Sequence, residues 1–334
     1  MRKMLSTLAA SLLSLCFVAC SSDEPSVSSE PETLVSFAVS LPADLQTRST
    51  FGDGSQTTIN AIEYAVFKVT GDNNETETFL YSATKSETVT DINDNIIIEI
   101  PMVKNFKYRV AFFAKNSANS KVTHSQGVLT VSYTGVAPNE ANADVFAAES
   151  GVITVEEKTA MTDYHQIKLK RPFAQLNWGT AGVPELKESY GDNFDLKATV
   201  SISDGLYTQY NILRDAVVES SKVSSAVSFS TVDCNALPEM DFPVTVEGKK
   251  YDLVAMNYIL VGKGDGAETG TINCSVTFNW TDDGTAQTRT TEVNSAPCKA
   301  NCRTNIYGDL ITTPTTFQCI IQTAFDESEN NITL

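Results

Sequence analysis

Two positions near the start of the chain offer chemistry that their surroundings support. Cys20 closes an apolar run, Leu5 to Ala19, that follows the basic Arg2 and Lys3. A positive and then apolar leader is the pattern of an export signal, and the thiol at its end is a nucleophile open to modification. The competing reading is an ordinary signal peptide in which Cys20 falls by chance. The run itself is too short for a bilayer span, which needs roughly 20 apolar residues. The second position is the Arg48-Ser49 bond. Its surroundings, Gln46-Thr47-Arg48-Ser49-Thr50, are polar and carry one basic residue, which suits an exposed connector open to proteolysis. Against this stands the plain alternative of a surface arginine in a loop.

The other reactive side chains form no constellation. His124 and His165 have no serine or cysteine partner nearby in sequence, and neither a Gly-x-Ser-x-Gly elbow nor a His-Glu-x-x-His pair occurs. Beyond Cys16 and Cys20, the cysteines are Cys234, Cys274, Cys298, Cys302 and Cys319, an odd number in an exported chain. The Cys298-x-x-x-Cys302 spacing suits neither zinc nor a redox pair, so a disulfide between strands and simple buried thiols both stay open. The acidic stretches at residues 91–95 and at Asp282-Asp283-Gly284 match hairpin turns rather than a calcium loop. Gly262-Lys263-Gly264-Asp265-Gly266 lacks the strand–loop–helix setting of a phosphate cradle. No enzymatic activity, cofactor or metal is therefore expected. The formal charge of −17 repels nucleic acid and anionic headgroups, so neither is an expected partner.

The elements that must position Cys20 and Arg48 read as strands. In Leu34 to Leu41, the residues Val35, Phe37, Val39 and Leu41 fall on one side and Ser36, Ala38 and Ser40 on the other, the period of a half-buried strand. The spacing predicts further strands over residues 59–70, 79–84, 95–100, 106–114, 128–133 and 152–155, with a short helix within 138–148. A second set covers 166–178 around Lys170-Arg171-Pro172, then 196–203, 226–232, 242–246, 251–260, 271–281, 289–293, 306–311 and 316–323. One or two helical turns fit 184–190. Short strands with Gly and Asn turns predict an all-β protein made of β-sandwiches. At 334 residues the chain exceeds what one core usually serves, so two domains are expected. The division runs as a signal peptide over 1–20, a Ser/Pro/Glu-rich tether over 21–33, and β-sandwich domains over 34–162 and 163–334. In the last of these strands, Phe317, Cys319 and Ile321 alternate with Gln318, Ile320 and Gln322. It reads equally as a final core strand or as a strand donated to a neighbour.

Several stretches carry a resemblance. Phe17-Val18-Ala19-Cys20 is similar to a bacterial lipobox, and Ser21-Ser22-Asp23-Glu24 to the acidic surface-export tag of Bacteroides-group lipoproteins. In order along the chain come Arg48 after the first strand, Tyr108-Arg109-Val110-Ala111-Phe112-Phe113-Ala114, and Lys170-Arg171-Pro172-Phe173-Ala174-Gln175-Leu176-Asn177. Asn257-Tyr258-Ile259-Leu260-Val261 and Asn301-Cys302-Arg303-Thr304-Asn305-Ile306-Tyr307-Gly308 follow. Together they resemble the fimbrillins, lipoprotein subunits of type V pili. The resemblance implies two transthyretin-like β-sandwich domains in tandem and an outer-membrane, surface-exposed protein anchored through acylated Cys20. It also implies cleavage after Arg48 by an Arg-specific protease, release of the first strand as a plug, and polymerisation with other fimbrial subunits by donor-strand exchange. The polar stretch that follows Thr323 departs from what a full donor strand would need. An alternative function is a surface glycan-binding lipoprotein of a polysaccharide-uptake system. Such binders display exposed aromatic platforms, whereas Trp178 and Trp280 both sit in alternating strand segments.

Overall fold

Alternation of β-branched and aromatic residues with small or polar ones drives this chain into strands. The computed structural model describes residues 32–41, 59–71, 75–86, 95–140, 143–156, 164–191, 194–234, 251–262, 270–312, 317–322 and 331–333. The first ten strands are β1 (Glu32–Ser40), β2 (Ala61–Thr70), β3 (Thr76–Ser86), β4 (Ile96–Val103), β5 (Lys107–Lys115), β6 (Val122–Ser125), β7 (Val128–Val131), β8 (Val145–Glu149), β9 (Ile153–Thr154) and β10 (His165–Lys168). Then come β11 (Ala174–Thr180), the helix α1 (Val183–Tyr190), β12 (Lys197–Asp204), β13 (Leu206–Tyr207), β14 (Gln209–Asn211), β15 (Ala216–Val217), β16 (Val227–Ser228) and β17 (Val232–Asp233). The last strands are β18 (Asp252–Val261), β19 (Gly270–Asp282), β20 (Thr285–Cys298), β21 (Arg303–Gly308), β22 (Phe317–Gln322) and β23 (Asn331–Thr333). The fold is all-β, as expected. Residues 138–148, expected to hold a short helix, instead contain most of β8, because Val145 and Phe146 are drawn into cores on opposite faces of their sheet. The expected strand at 242–246 lies outside the described residues.

Two sandwiches result. In the first, a three-stranded sheet in the order β10-β1-β4 covers a sheet in the order β3-β2-β5-β8, and their facing residues form one apolar core. In the second, the sheet β13-β18-β11-β21-β22-β23 covers the sheet β16-β12-β19-β20. The turn between β19 and β20 is Asp283-Gly284, with φ of 45° and 75°. Positive φ at both positions is what a tight two-residue hairpin requires, and glycine meets it without strain. The expected division at residue 162 is crossed by two sheets. β10 joins β1, and the small sheet β15-β14-β7-β6 pairs strands from both sides of that position. Residues Glu32–Leu334 form one compact unit.

The junction is also held by charge. Arg171 Nε donates to both oxygens of Asp144 at 2.8 and 3.0 Å, and its Nη1 donates to Asn301 Oδ1 at 2.8 Å. Both members of the Arg171–Asp144 pair are fully buried, so each depends on the other to offset the loss of water. This gives the Lys170-Arg171-Pro172 bend a physical role that the sequence alone did not assign. It ties the lead into β8, the lead into β11 and the turn before β21.

Candidate functional site

Within the first sandwich, β1 is an interior strand. It pairs antiparallel with β4 from Glu32–Val103 to Val39–Ile96, and parallel with β10 from Phe37–His165 to Ser40–Lys168. Leu169 N–H donates to Ser40 O at 2.9 Å, extending the β10 side. Val35, Phe37 and Val39 are buried in the first core, and Leu41 packs half-buried against it. Phe37 is the centre of that contact, with its ring 5.2 Å from Phe112 and 5.5 Å from His165. Sequence reasoning expected a strand buried on one face. The structure corrects this: all residues from Val35 to Val39 are buried, so Ser36 and Ala38 are shut away as well.

The walls of the site come from elements whose partnership was not legible beforehand. Ile96, Ile98 and Ile100 of β4 and Ile167 of β10 line the core beside β1. The far edge of β4 is capped from β3, where Lys85 Nζ donates to Ile97 O at 2.6 Å and Tyr81 OH donates to Pro101 O at 3.5 Å. Burial pushes the Tyr81 phenol up to about 12, so it stays a neutral donor. The isoleucine-rich stretch at 96–100 signalled a strand, but no local pattern named β1 as its neighbour. Cys20, Arg48 and Ser49 lie outside the described residues.

The other candidate strand sits far along the chain. Phe317, Cys319 and Ile321 belong to β22, which pairs with β21 on one edge and β23 on the other. Ile321 is buried, Phe317 and Cys319 pack half-buried against the second core, and Tyr307 OH donates to Gln318 Oε1 at 2.8 Å. Of the two cysteine readings, buried thiols hold: Cys234, Cys274, Cys298, Cys302 and Cys319 are all free, and all but Cys319 are buried. Burial pushes Cys234 and Cys298 up to about 12 and Cys319 up to about 11, which keeps them as neutral thiols near pH 8. Among the described residues no group of His, Cys, Asp or Glu is placed to hold a metal ion. No helix among them is long and apolar enough to cross a membrane.

The chain belongs to DUF6562, a family of unknown function whose pattern matches residues 28–334. No curated protein matches it. Among solved structures it is similar to a Bacteroides thetaiotaomicron protein provisionally described as polysaccharide binding, at 9% identity and a TM-score of 0.44, over 86% of this chain and 96% of that one. It is also similar to the tip fimbrial protein Mfa3 from Porphyromonas gingivalis, at 12% identity and a TM-score of 0.39, over 87% and 99%. A fimbrial assembly protein from Parabacteroides distasonis matches at 15% identity and a TM-score of 0.39, over 90% and 99%. Likeness at this level transfers no function to this chain.

Proposed function

We propose that this chain is a structural or accessory subunit of a surface fimbria, made as a lipoprotein precursor and held at the outer membrane through acylated Cys20. In this reading an Arg-specific protease cuts the Arg48–Ser49 bond, β1 leaves, and a strand from another fimbrial subunit takes its slot. The observation that carries the reading is the position of β1. It is an interior strand whose loss strips β10 of its sheet partner and bares the paired edge of β4. Burying Val35, Phe37 and Val39 contributes roughly 5–9 kcal/mol before ordering costs. An apolar slot of that depth favours occupation, by the chain's own strand or by a neighbour's. The resemblance of the sequence to fimbrillins supports the same reading. A donor role for Phe317, Cys319 and Ile321 would further require β22 to leave both of its partners.

The glycan-binding alternative draws no support from the tryptophans. Trp178 is fully buried, and Trp280 packs half-buried against the second core. Incubating purified precursor with an Arg-specific protease tests the proposal. The cut native chain should release β1 and take up an added strand of residues 32–41, and Arg48→Gln should do neither. A clean cut after Arg48 that leaves β1 bound and admits no added strand would sink it. Cys20→Ala should abolish incorporation of labelled fatty acid and release the protein from the membrane fraction.

A further inference from the structure

A strand laid over one core buries alternate residues only. β1 instead buries five in succession, Val35 to Val39. Val35, Phe37 and Val39 fill the core, so the extra burial belongs to Ser36 and Ala38 on the opposite face, which keep 7% and 2% of their surface. Their neighbours across the sheet are taller. Glu99 stands opposite Ser36, while Ile97 and Gln166 flank Ala38. Side chains facing each other on adjacent strands have Cβ atoms about 4.5–5.5 Å apart, so Ala38 lies in a trough between Ile97 and Gln166, and Ser36 lies low beside Glu99. On the inner face the shape is the reverse. Phe37 is a single large knob between Phe112 and His165, flanked by the smaller Val35 and Val39.

We propose that the β1 slot selects its replacement strand by shape on both faces. It takes an inward aromatic at the Phe37 position, with β-branched residues two positions to either side. At the Ser36 and Ala38 positions it takes only Gly, Ala or Ser. This rests on the strand-exchange reading above and names the partner that reading left open. The occupant is an extended segment of a different subunit, running antiparallel to β4 and parallel to β10 as β1 does. The same rule turns away β22 of a second copy. With Phe317 in the place of Phe37, Cys319 and Ile321 would take the places of Val39 and Leu41, but Gln318 would fall in the trough of Ala38. The far side of β4 is a poorer docking edge, since Lys85 and Tyr81 occupy its Ile97 and Pro101 carbonyls.

The test uses the full chain, cut after Arg48, and fluorescent synthetic strands added in excess. The parent strand is residues 32–41, and its variants carry Phe37→Ala or Ala38→Gln; a fourth strand is residues 317–322. The parent should exchange into the cut chain and saturate. Phe37→Ala should weaken uptake by at least about 100-fold, the equivalent of a core Phe→Ala loss. Ala38→Gln should weaken it by at least about tenfold, and the β22 strand should not enter. Uptake of all strands within about threefold of the parent would overturn the selection rule and leave strand exchange standing. Failure of the parent itself to enter would overturn both. A separate measurement stands apart from exchange: Ala38→Gln in the uncut chain should lower the urea midpoint, and an unmoved midpoint would also overturn the rule.

Discussion

Replacing Phe37 by alanine in the uncut chain gives the most direct measure of how firmly β1 is held. The Phe37 side chain is fully buried and lies 5.2 Å from Phe112 and 5.5 Å from His165. Truncating a buried Phe costs roughly 3–5 kcal/mol, from lost transfer energy and the cavity left behind. About 0.5–1.5 kcal/mol of that is the specific ring–ring contact with Phe112. With an m-value of about 3 kcal/mol/M in urea, the midpoint should fall by about 1–1.7 M. Far-UV circular dichroism follows all the strands, while Trp178 and Trp280 report on the second core only. Sheets and the Arg171 bonds cross between the sandwiches, so both signals should shift together. In chain already cut after Arg48, the same loss should speed release of the plug by about two to three and a half decades, at about 1.4 kcal/mol per decade. Phe112→Ala serves as the reference, because it opens the same core from β5, on the facing sheet, and leaves every β1 side chain in place. A Phe37→Ala midpoint within about 0.2 M of the native value, beside a large Phe112→Ala shift, would falsify the claim that β1 is a working part of the core.

Three further outcomes are expected. Asp144→Asn leaves the Arg171 charge buried without its counter-ion and should cost about 3–5 kcal/mol, whereas Asp144→Leu with Arg171→Met should recover most of that loss in equilibrium unfolding. Glu63 is held below its ordinary value first by its hydrogen bond with His124, with Lys115 adding to this against the opposing effect of burial. A depressed folded-state pKa stabilises above the unfolded value of about 4.3 and that stability is lost as pH falls through the folded value. Acid unfolding of Glu63→Gln should therefore be shallower than that of the native chain below about pH 5, and parallel curves would refute the assignment. Folded protein treated with a thiol reagent near pH 8 should label slowly and at Cys319, and labelling of the buried Cys234, Cys274, Cys298 and Cys302 should wait for denaturation.

Much of the local structure was legible because strand formation answers to a period of two. Val35, Phe37 and Val39 announced an inward face in the sequence, and the structure buries all three. The Asp283-Gly284 turn was equally plain, since that pair tolerates positive φ at both positions. The short strand β8 was not legible. Its residues, Val145 to Glu149, carry no alternation, because Val145 and Ala147 face one core while Phe146 faces the other. The pairing of β14 with β7 was hidden for a different reason. Gln209–Asn211 is too short and polar to signal a strand, and it becomes one only because β7 offers an edge.

The sequence by itself determined the class of the fold, the strand ahead of Arg48 and which of its residues point inward, since each follows from the side-chain pattern within a few neighbouring positions. Only the tertiary structure decided that this strand lies between β4 and β10, that its small outward residues are closed off too, and that Arg171 reaches Asp144 and Asn301. Those facts depend on contacts between segments tens to more than a hundred residues apart, whose pairing is set by packing and loop closure and leaves no mark in local periodicity.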